Sequence, residues 1–205
     1  KSAEKFGIEV ATLGLPLDIT TKELKGHIVD LNTNEEVDGM LLFRPLPEHI
    51  DEKEVLNAMD MKKDVDGAAR ASLAEVFSDG EEGFRPCTAE AVVNMLEKNN
   101  IDVDGSNITI IGRSLVVGKP LCMMLLKRGA TVTLCHSRTR DMKKHIKDAD
   151  IIIVAIGRAN FIGREYFDDD AGRQVVIDVG INPVEGGIVG DVDYKSLIGT
   201  VGAVT

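Results

Sequence analysis

The chain has 205 residues, with 24 Lys and Arg against 34 Asp and Glu, so its net charge is −10. That length suits one large domain or two small ones, burying about 70% of the unfolded surface, and 43% apolar with 28% charged residues is an ordinary globular composition. The acidic balance, the absence of Trp and the 4% aromatic content argue against a nucleic-acid partner. The longest uncharged run, Ser196–Thr205, is about half of a membrane span, so no membrane partner is expected. Cys87, Cys122 and Cys135 are isolated and lack Cys-x-x-Cys spacing, which fits reduced thiols and a cytoplasmic location. The opening Lys1-Ser2-Ala3-Glu4-Lys5 carries no signal core and no initiator Met, and the chain reads as a fragment.

In chain order, Lys1–Phe6 reads as a helix end stopped by Gly7, and Ile8–Leu13 as a strand. Thr20 and Glu23 form a capping-box pattern ahead of Leu24, Ile28 and Leu31 at helical spacing. Val37–Phe43 reads as a strand halted by Pro45 and Pro47, and Asp51–Met59 as a short helix. Ala68–Gly83 has weak periodicity and reads as loop or short helix. Thr88 is the expected N-cap of a helix to about Asn99, with Val92, Met95 and Leu96 on one face. Alternation then becomes regular. Strands are expected over Asn107–Gly112, Thr131–Cys135, Ile151–Ile156, Val175–Val179 and Gly202–Val204, with helices over Val117–Arg128 and Asp141–Asp148. Gly186-Gly187 reads as a hairpin turn. Runs that are apolar on both faces indicate parallel strands covered by helices. The expected fold class is therefore α/β: a Rossmann-like doubly wound parallel sheet over 100–205, preceded by a smaller α/β domain over 1–99.

Ile110-Ile111-Gly112-Arg113-Ser114, running on to Gly118-Lys119-Pro120, joins a strand to a helix as a phosphate-binding turn does. Ser114 stands where the second glycine of Gly-x-Gly-x-x-Gly would be, so a turn that binds nothing stays open. An NAD site wants an acid about 20 residues on. Cys135-His136-Ser137-Arg138-Thr139 has none, and Arg113, Ser137 and Arg138 can instead meet a 2′-phosphate or stand as solvated charges, which makes NADP the better fit. Asp64 and Asp66 in Lys63-Asp64-Val65-Asp66-Gly67 point the same way if extended; a charged turn closed by Gly67 is the more ordinary reading. Asp168-Asp169-Asp170 reads as a solvated loop, and no metal site is expected. Zinc-hydrolase, serine-hydrolase and P-loop signatures are absent.

These residues resemble the bifunctional methylenetetrahydrofolate dehydrogenase/cyclohydrolase family. Asp38-Gly39-Met40-Leu41-Leu42-Phe43-Arg44-Pro45-Leu46-Pro47 is similar to its Asp-Gly-(Ile/Phe)-Leu-Val-Gln-Leu-Pro-Leu-Pro, and Lys63–Gly67 matches its Lys-Asp-Val-Asp-Gly. Arg85-Pro86-Cys87-Thr88, Gly112-Arg113-Ser114 through Val117-Gly118-x-Pro120, Cys135-His136-Ser137, Val176–Asn182 and Val189-Gly190-Asp191-Val192 follow in the family order. The resemblance implies two α/β domains flanking a cleft, usually in a homodimer, with hydride transfer from 5,10-methylenetetrahydrofolate to NADP and hydrolysis of the methenyl product to 10-formyltetrahydrofolate. It implies that Asp66 meets the pterin, with Phe43, Pro45 and Leu46 beside the substrate. Gly112, Arg113, Ser114, Ser137 and Ile181 would line the cofactor site, with Arg113 and Ser137 at the 2′-phosphate.

Three departures stand out. The family's catalytic Lys, in a Tyr-x-x-x-Lys helix, would fall just before Lys1, which is not its match. The family's Pro-Val-Pro-Gly-Gly-Val-Gly after Val204-Thr205 is absent, and both losses read as trimming. Internally, Phe43 replaces a Gln that assists the lysine, and Arg44 replaces an apolar residue. With Phe43 the expected cyclohydrolase activity is weakened; the alternatives are another NADP dehydrogenase with a small substrate domain, a monofunctional dehydrogenase, or a catalytically impaired nucleotide-binding or assembly homologue.

Overall fold

The computed structural model describes residues 3–169 and 171–205. Lys1 and Ser2 of the expected first helix, and Asp170 of the acidic triplet, lie outside the described residues. A single 3-10 turn, Ala3–Phe6, ends at Gly7 with φ +72°. Helix α1 (Thr21–Thr33) carries the full capping box: Glu23 N donates to Thr20 Oγ1 at 3.2 Å and Thr20 N donates to Glu23 Oε2 at 2.9 Å. Its Leu24 and Ile28 are buried with Val55 of α2 (Glu52–Asn57), Ile50, Met59 and Ala69 in a small core.

Two expected strands do not form. Ile8–Leu13 has no ladder partner among the described residues, and Ile8, Val10 and Leu13 are exposed. Ile8, Val10 and Thr12 are β-branched and favour an extended backbone, but a strand also needs a neighbour. Val37–Phe43 contributes one parallel bridge, Met40 to Asp64, with Met40 N donating to Lys63 O at 2.7 Å. The cis Arg44-Pro45 bond and Pro47 follow, where two N–H groups are missing from the chain. The regular structure before residue 100 is thus helical apart from that bridge, completed by α3 (Arg70–Phe77) and α4 (Cys87–Lys98).

Helix α4 starts two residues earlier than expected. Pro86, at φ −52°, is the N-cap and Thr88 lies in the first turn, because the Pro86 carbonyl already accepts from Glu90 N at 2.9 Å. Its inward face is Ala89, Val92, Val93 and Leu96, and Met95 faces outward.

From there β1 (Asn107–Ile111), α5 (Gly118–Leu126), β2 (Thr131–Cys135), α6 (Met142–Lys147), β3 (Ile151–Val154) and β4 (Val175–Asp178) follow the expected order. A short antiparallel hairpin comes next, β5 (Asn182–Val184) and β6 (Gly187–Val189); it turns at Glu185-Gly186, one residue before the expected Gly186-Gly187, because Gly187 already pairs with Val184. Helix α7 (Tyr194–Leu197) and β7 (Ala203–Val204) complete it. The five-stranded sheet is wholly parallel, in the order β2-β1-β3-β4-β7. Alternate residues separate its faces: Ile108, Ile110, Ile151 and Ile153 meet α4 and α5, while Ile111, Ile152 and Val154 meet Ile146 of α6 and Leu197 of α7. Helices on both sides make the sheet doubly wound, the α/β class expected. No helix among the described residues is long and apolar enough to cross a membrane.

Candidate functional site

The chain leaves β1 toward β2 on one side and returns to β3 on the other, so the sheet order reverses beside β1. Ligands of open α/β sheets lie at the carboxyl ends of the strands at such a reversal. Pairing aligns Ile111 with Cys135 and Val154, and Val154 with Asp178. Residues just beyond this row share one edge. Gly112, Arg113 and Ser114 follow β1, Ser137 lies two residues past Cys135, and Ile181 three past Asp178. All five expected cofactor residues therefore emerge at the same edge of the sheet.

The turn after β1 is built for close approach. Gly112 has φ +128°, and a Cβ there would lie 2.1 Å from the carbonyl oxygen of Ala155. A Cβ on Gly118 would lie 2.0 Å from Gly112 O, so the helix start is seated on the turn. Ser114 braces the turn from within, because its Oγ accepts from Val117 N at 3.0 Å and its carbonyl accepts from Lys119 N at 3.0 Å. Arg113 is exposed and makes no ion pair among the described residues. After β2, His136 N donates to Thr139 Oγ1 at 2.8 Å and Thr139 N returns to His136 O at 2.8 Å, a tight turn that presents Ser137 and Arg138 to solvent. A nucleotide phosphate fits this edge: an open turn beside a guanidinium that has no ion-pair partner among the described residues.

Asp64 and Asp66 do not act as a pair. The segment is a turn, so alternation fails. Asp64 is 1% exposed and accepts from Ala69 N at 2.7 Å and Ser72 Oγ at 2.8 Å, holding the start of α3. Asp66 is half-buried and faces Arg44, whose Nη2 lies 3.0 Å from Asp66 Oδ2, with Glu52 a weaker partner at 3.7 Å. Leu46 packs on the small core, Pro45 is exposed, and Phe43 is 79% exposed. Arg44 thus fills a role that sequence spacing alone does not reveal.

The sulfur of Cys87 lies 3.0 Å from Val65 O. Although the residue is exposed overall, partial burial pushes its thiol pKa up, and Asp66 and Asp64 push it further. Burial likewise raises the Cys122 and Cys135 thiols. All three cysteines are free. A groove of about 460 Å³ opens beside this cysteine between α3 and α4, lined by Val65, Glu75, Arg85, Cys87 and Glu90 among others, and it includes none of the expected cofactor residues. Among the described residues no group of three or more His, Cys, Asp or Glu is placed to hold a metal. Asp168 and Asp169 are engaged by Lys147 and Arg164.

Two further acids stand at the carboxyl edge of the sheet. Asp178 and Asp191 belong to matched motifs, yet spacing alone gives neither a role; the available signal is that each lies close to a glycine, Gly180 or Gly190.

The fold and this edge define a nucleotide-binding α/β protein. The family profile described as "Tetrahydrofolate dehydrogenase/cyclohydrolase, NAD(P)-binding domain" matches residues 86–205, and "Tetrahydrofolate dehydrogenase/cyclohydrolase, catalytic domain" matches residues 1–66. The Bifunctional protein FolD of Clostridium botulinum (strain Langeland / NCTC 10281 / Type F) is 44% identical over 206 residues, covering 100% of this chain and 72% of the relative. The crystal structure of the bifunctional FolD enzyme from Campylobacter jejuni superposes with a TM-score of 0.94 at 38% identity, over 100% of this chain and 72% of that one. A FolD structure from Trypanosoma brucei, complexed with NADP and an inhibitor, superposes at 0.90 with 27% identity, over 100% and 71%. The chain belongs to the tetrahydrofolate dehydrogenase/cyclohydrolase family, and its second part is that family's NAD(P)-binding domain.

Proposed function

We infer that the protein is a bifunctional enzyme of folate one-carbon metabolism. It oxidises 5,10-methylenetetrahydrofolate and hydrolyses the methenyl product to 10-formyltetrahydrofolate. The observation that carries this is the arrival of Gly112, Arg113, Ser114, Ser137 and Ile181 at one carboxyl edge, in a chain that matches both family domains. The bound dinucleotide supplies the hydride acceptor. Arg113 and Ser137 hold the 2′-phosphate, Gly112 lets the backbone approach the diphosphate, and Ile181 borders the ring end. NADP is the proposed cofactor, supported by the missing acid after β2, the unpaired Arg113, and the NADP in the Trypanosoma brucei relative.

Asp66 is proposed to accept N–H donors of the pterin, with Phe43, Pro45 and Leu46 along the substrate. The division into residues 1–99 and 100–205, a homodimer and a cytoplasmic location belong to the same proposal. Helix α4 ends the first part while packing on the sheet of the second. The test is oxidation of 5,10-methylenetetrahydrofolate by the complete gene product, followed through the reduced nicotinamide, with NADP and NAD in separate runs. Turnover with neither cofactor overturns the reading; efficient turnover with NAD overturns the cofactor assignment alone.

A further inference from the structure

We propose that Asp191 is a positioning residue of the nucleotide site, acting as an internal anion that fixes the loop after β3. This rests on the NAD(P)-binding reading above. Asp191 is fully buried. Its carboxylate accepts from three successive backbone N–H groups: Ile156 at 2.6 Å, Gly157 at 3.0 Å and Arg158 at 2.7 Å. Successive N–H groups converging in this way form a nest, the backbone shape that holds anions in many phosphate sites. Here a side chain occupies it. Asn182 Nδ2 adds a fourth donor at 2.8 Å and ties in the segment after β4.

Asp191 is in turn held by Asp178 at the end of β4. Asp178 accepts from Asp191 N at 2.9 Å, Val192 N at 2.9 Å and Gly180 N at 2.9 Å. Space for both carboxylates comes from glycines. A Cβ on Gly180 would lie 2.3 Å from Asp191 Cγ, and one on Gly190 would lie 1.7 Å from Asp178 Oδ2. The fixed loop begins at Ala155, whose carbonyl abuts Gly112, so it walls the turn that leads into Arg113. With its N–H groups spent on Asp191, that wall cannot compete with the Gly112 turn for phosphate. Binding at a pre-set edge needs no ordering of the loop, and a displacement of about 1 Å in such a support can cost on the order of 100-fold.

The experiment is equilibrium binding of NADP to the complete gene product by calorimetry, with the folate KM and thermal midpoint measured alongside. Asp191→Asn puts a donor against at least one N–H of the nest, and we expect NADP affinity to fall at least about tenfold with the folate KM unchanged. Gln174→Ala is the stability control. Gln174 Nε2 donates to Ile146 O and Ala149 O at 2.8 and 2.6 Å beneath the opposite, amino-terminal edge, so its loss should lower the midpoint without moving NADP affinity. Asn182→Ala removes one arm of the brace, leaves the nest filled, and should weaken NADP by a few-fold in a folded protein. Unchanged NADP affinity in folded Asp191→Asn, or in Asn182→Ala should Asp191→Asn fail to fold, overturns the proposal. An equal loss in Gln174→Ala also overturns it, because general destabilisation would then account for the effect. A wild type that binds neither NADP nor NAD removes the NAD(P) reading itself and this inference with it.

Discussion

Arg44 and Asp66 form an ion pair, Nη2 to Oδ2 at 3.0 Å, between the proline-rich segment and the turn that begins the approach to α3. Any ligand that uses Asp66 as an acceptor meets a carboxylate already shared with a guanidinium. Both side chains are partly exposed, so the pair holds its geometry at modest net energy, about 0–1 kcal/mol.

Removing the guanidinium should free the acceptor. Arg44→Leu is expected to lower the folate KM several-fold with little change in the NADP KM, and Asp66→Asn to raise the folate KM at least about tenfold, because an amide presents a donor to a donor. Steady-state kinetics with each substrate varied in turn decides this. A folate KM indifferent to Asp66→Asn would leave the acid as the closing element of a charged turn.

Arg113→Ala tests the cofactor assignment. A charge-assisted contact to phosphate contributes roughly 1.5–3 kcal/mol, about 10–100-fold. The NADP KM should rise by that factor while any NAD KM moves little. A parallel rise in both would place Arg113 at the shared diphosphate instead.

Phe43 concerns the second half-reaction. Its ring neither donates nor accepts a conventional hydrogen bond, and the family resemblance places a Gln here. Phe43→Gln in the complete gene product is expected to raise methenyl hydrolysis on the order of 100-fold and to change hydride transfer much less. Since Phe43 is 79% exposed, the substitution should leave stability nearly unchanged. The two half-reactions are assayed separately; equal hydrolysis rates for both proteins show that position 43 does not limit that step.

Cys87 offers a readout of the same corner by pH. Its thiol pKa is raised, first by burial and then by Asp66 and Asp64, so less thiolate exists at neutral pH than for an ordinary cysteine. Iodoacetamide labelling of Cys87, followed by peptide mass spectrometry, should accelerate only at a more alkaline pH than a free thiol does. Asp66→Asn should shift that rise to lower pH. A midpoint unmoved by Asp66→Asn would mean that burial alone sets the reactivity.

The parallel half of the fold is legible because its signals are local. Ile151–Val154 and Val176–Ile177 are apolar on both faces, and Gly186-Gly187 marks the hairpin. Thr20 and Glu23 announce α1 for the same reason. What fails depends on partners distant in the chain. Ile8–Leu13 reads like a strand yet has no ladder among the described residues, and Val37–Phe43 keeps a single bridge. Asp64 and Asp66 part company because a turn, not an extended backbone, carries them, and one goes to Ser72 while the other goes to Arg44. At the cofactor edge, residues expected together do emerge together, since strand register fixes them. The bracing by Asp178 and Asp191 stays hidden, because it joins loops that lie up to 35 positions apart.

The strand order also bears on how the molecule assembles itself. Pairing β1 with β2 closes a loop of 24 residues from Asn107 to Thr131, whereas β1 with β3 must bring Ile108 to Ile151 across 43. The longer closure costs about 0.5 kcal/mol more in chain entropy, and separations of this kind slow the search for the native topology. The crevice beside Gly112 comes into being with that second closure. Refolding should therefore be governed by the pairing that creates the nucleotide edge, and a nascent chain halted before Ile151 lacks β3 and with it any place for a dinucleotide to sit.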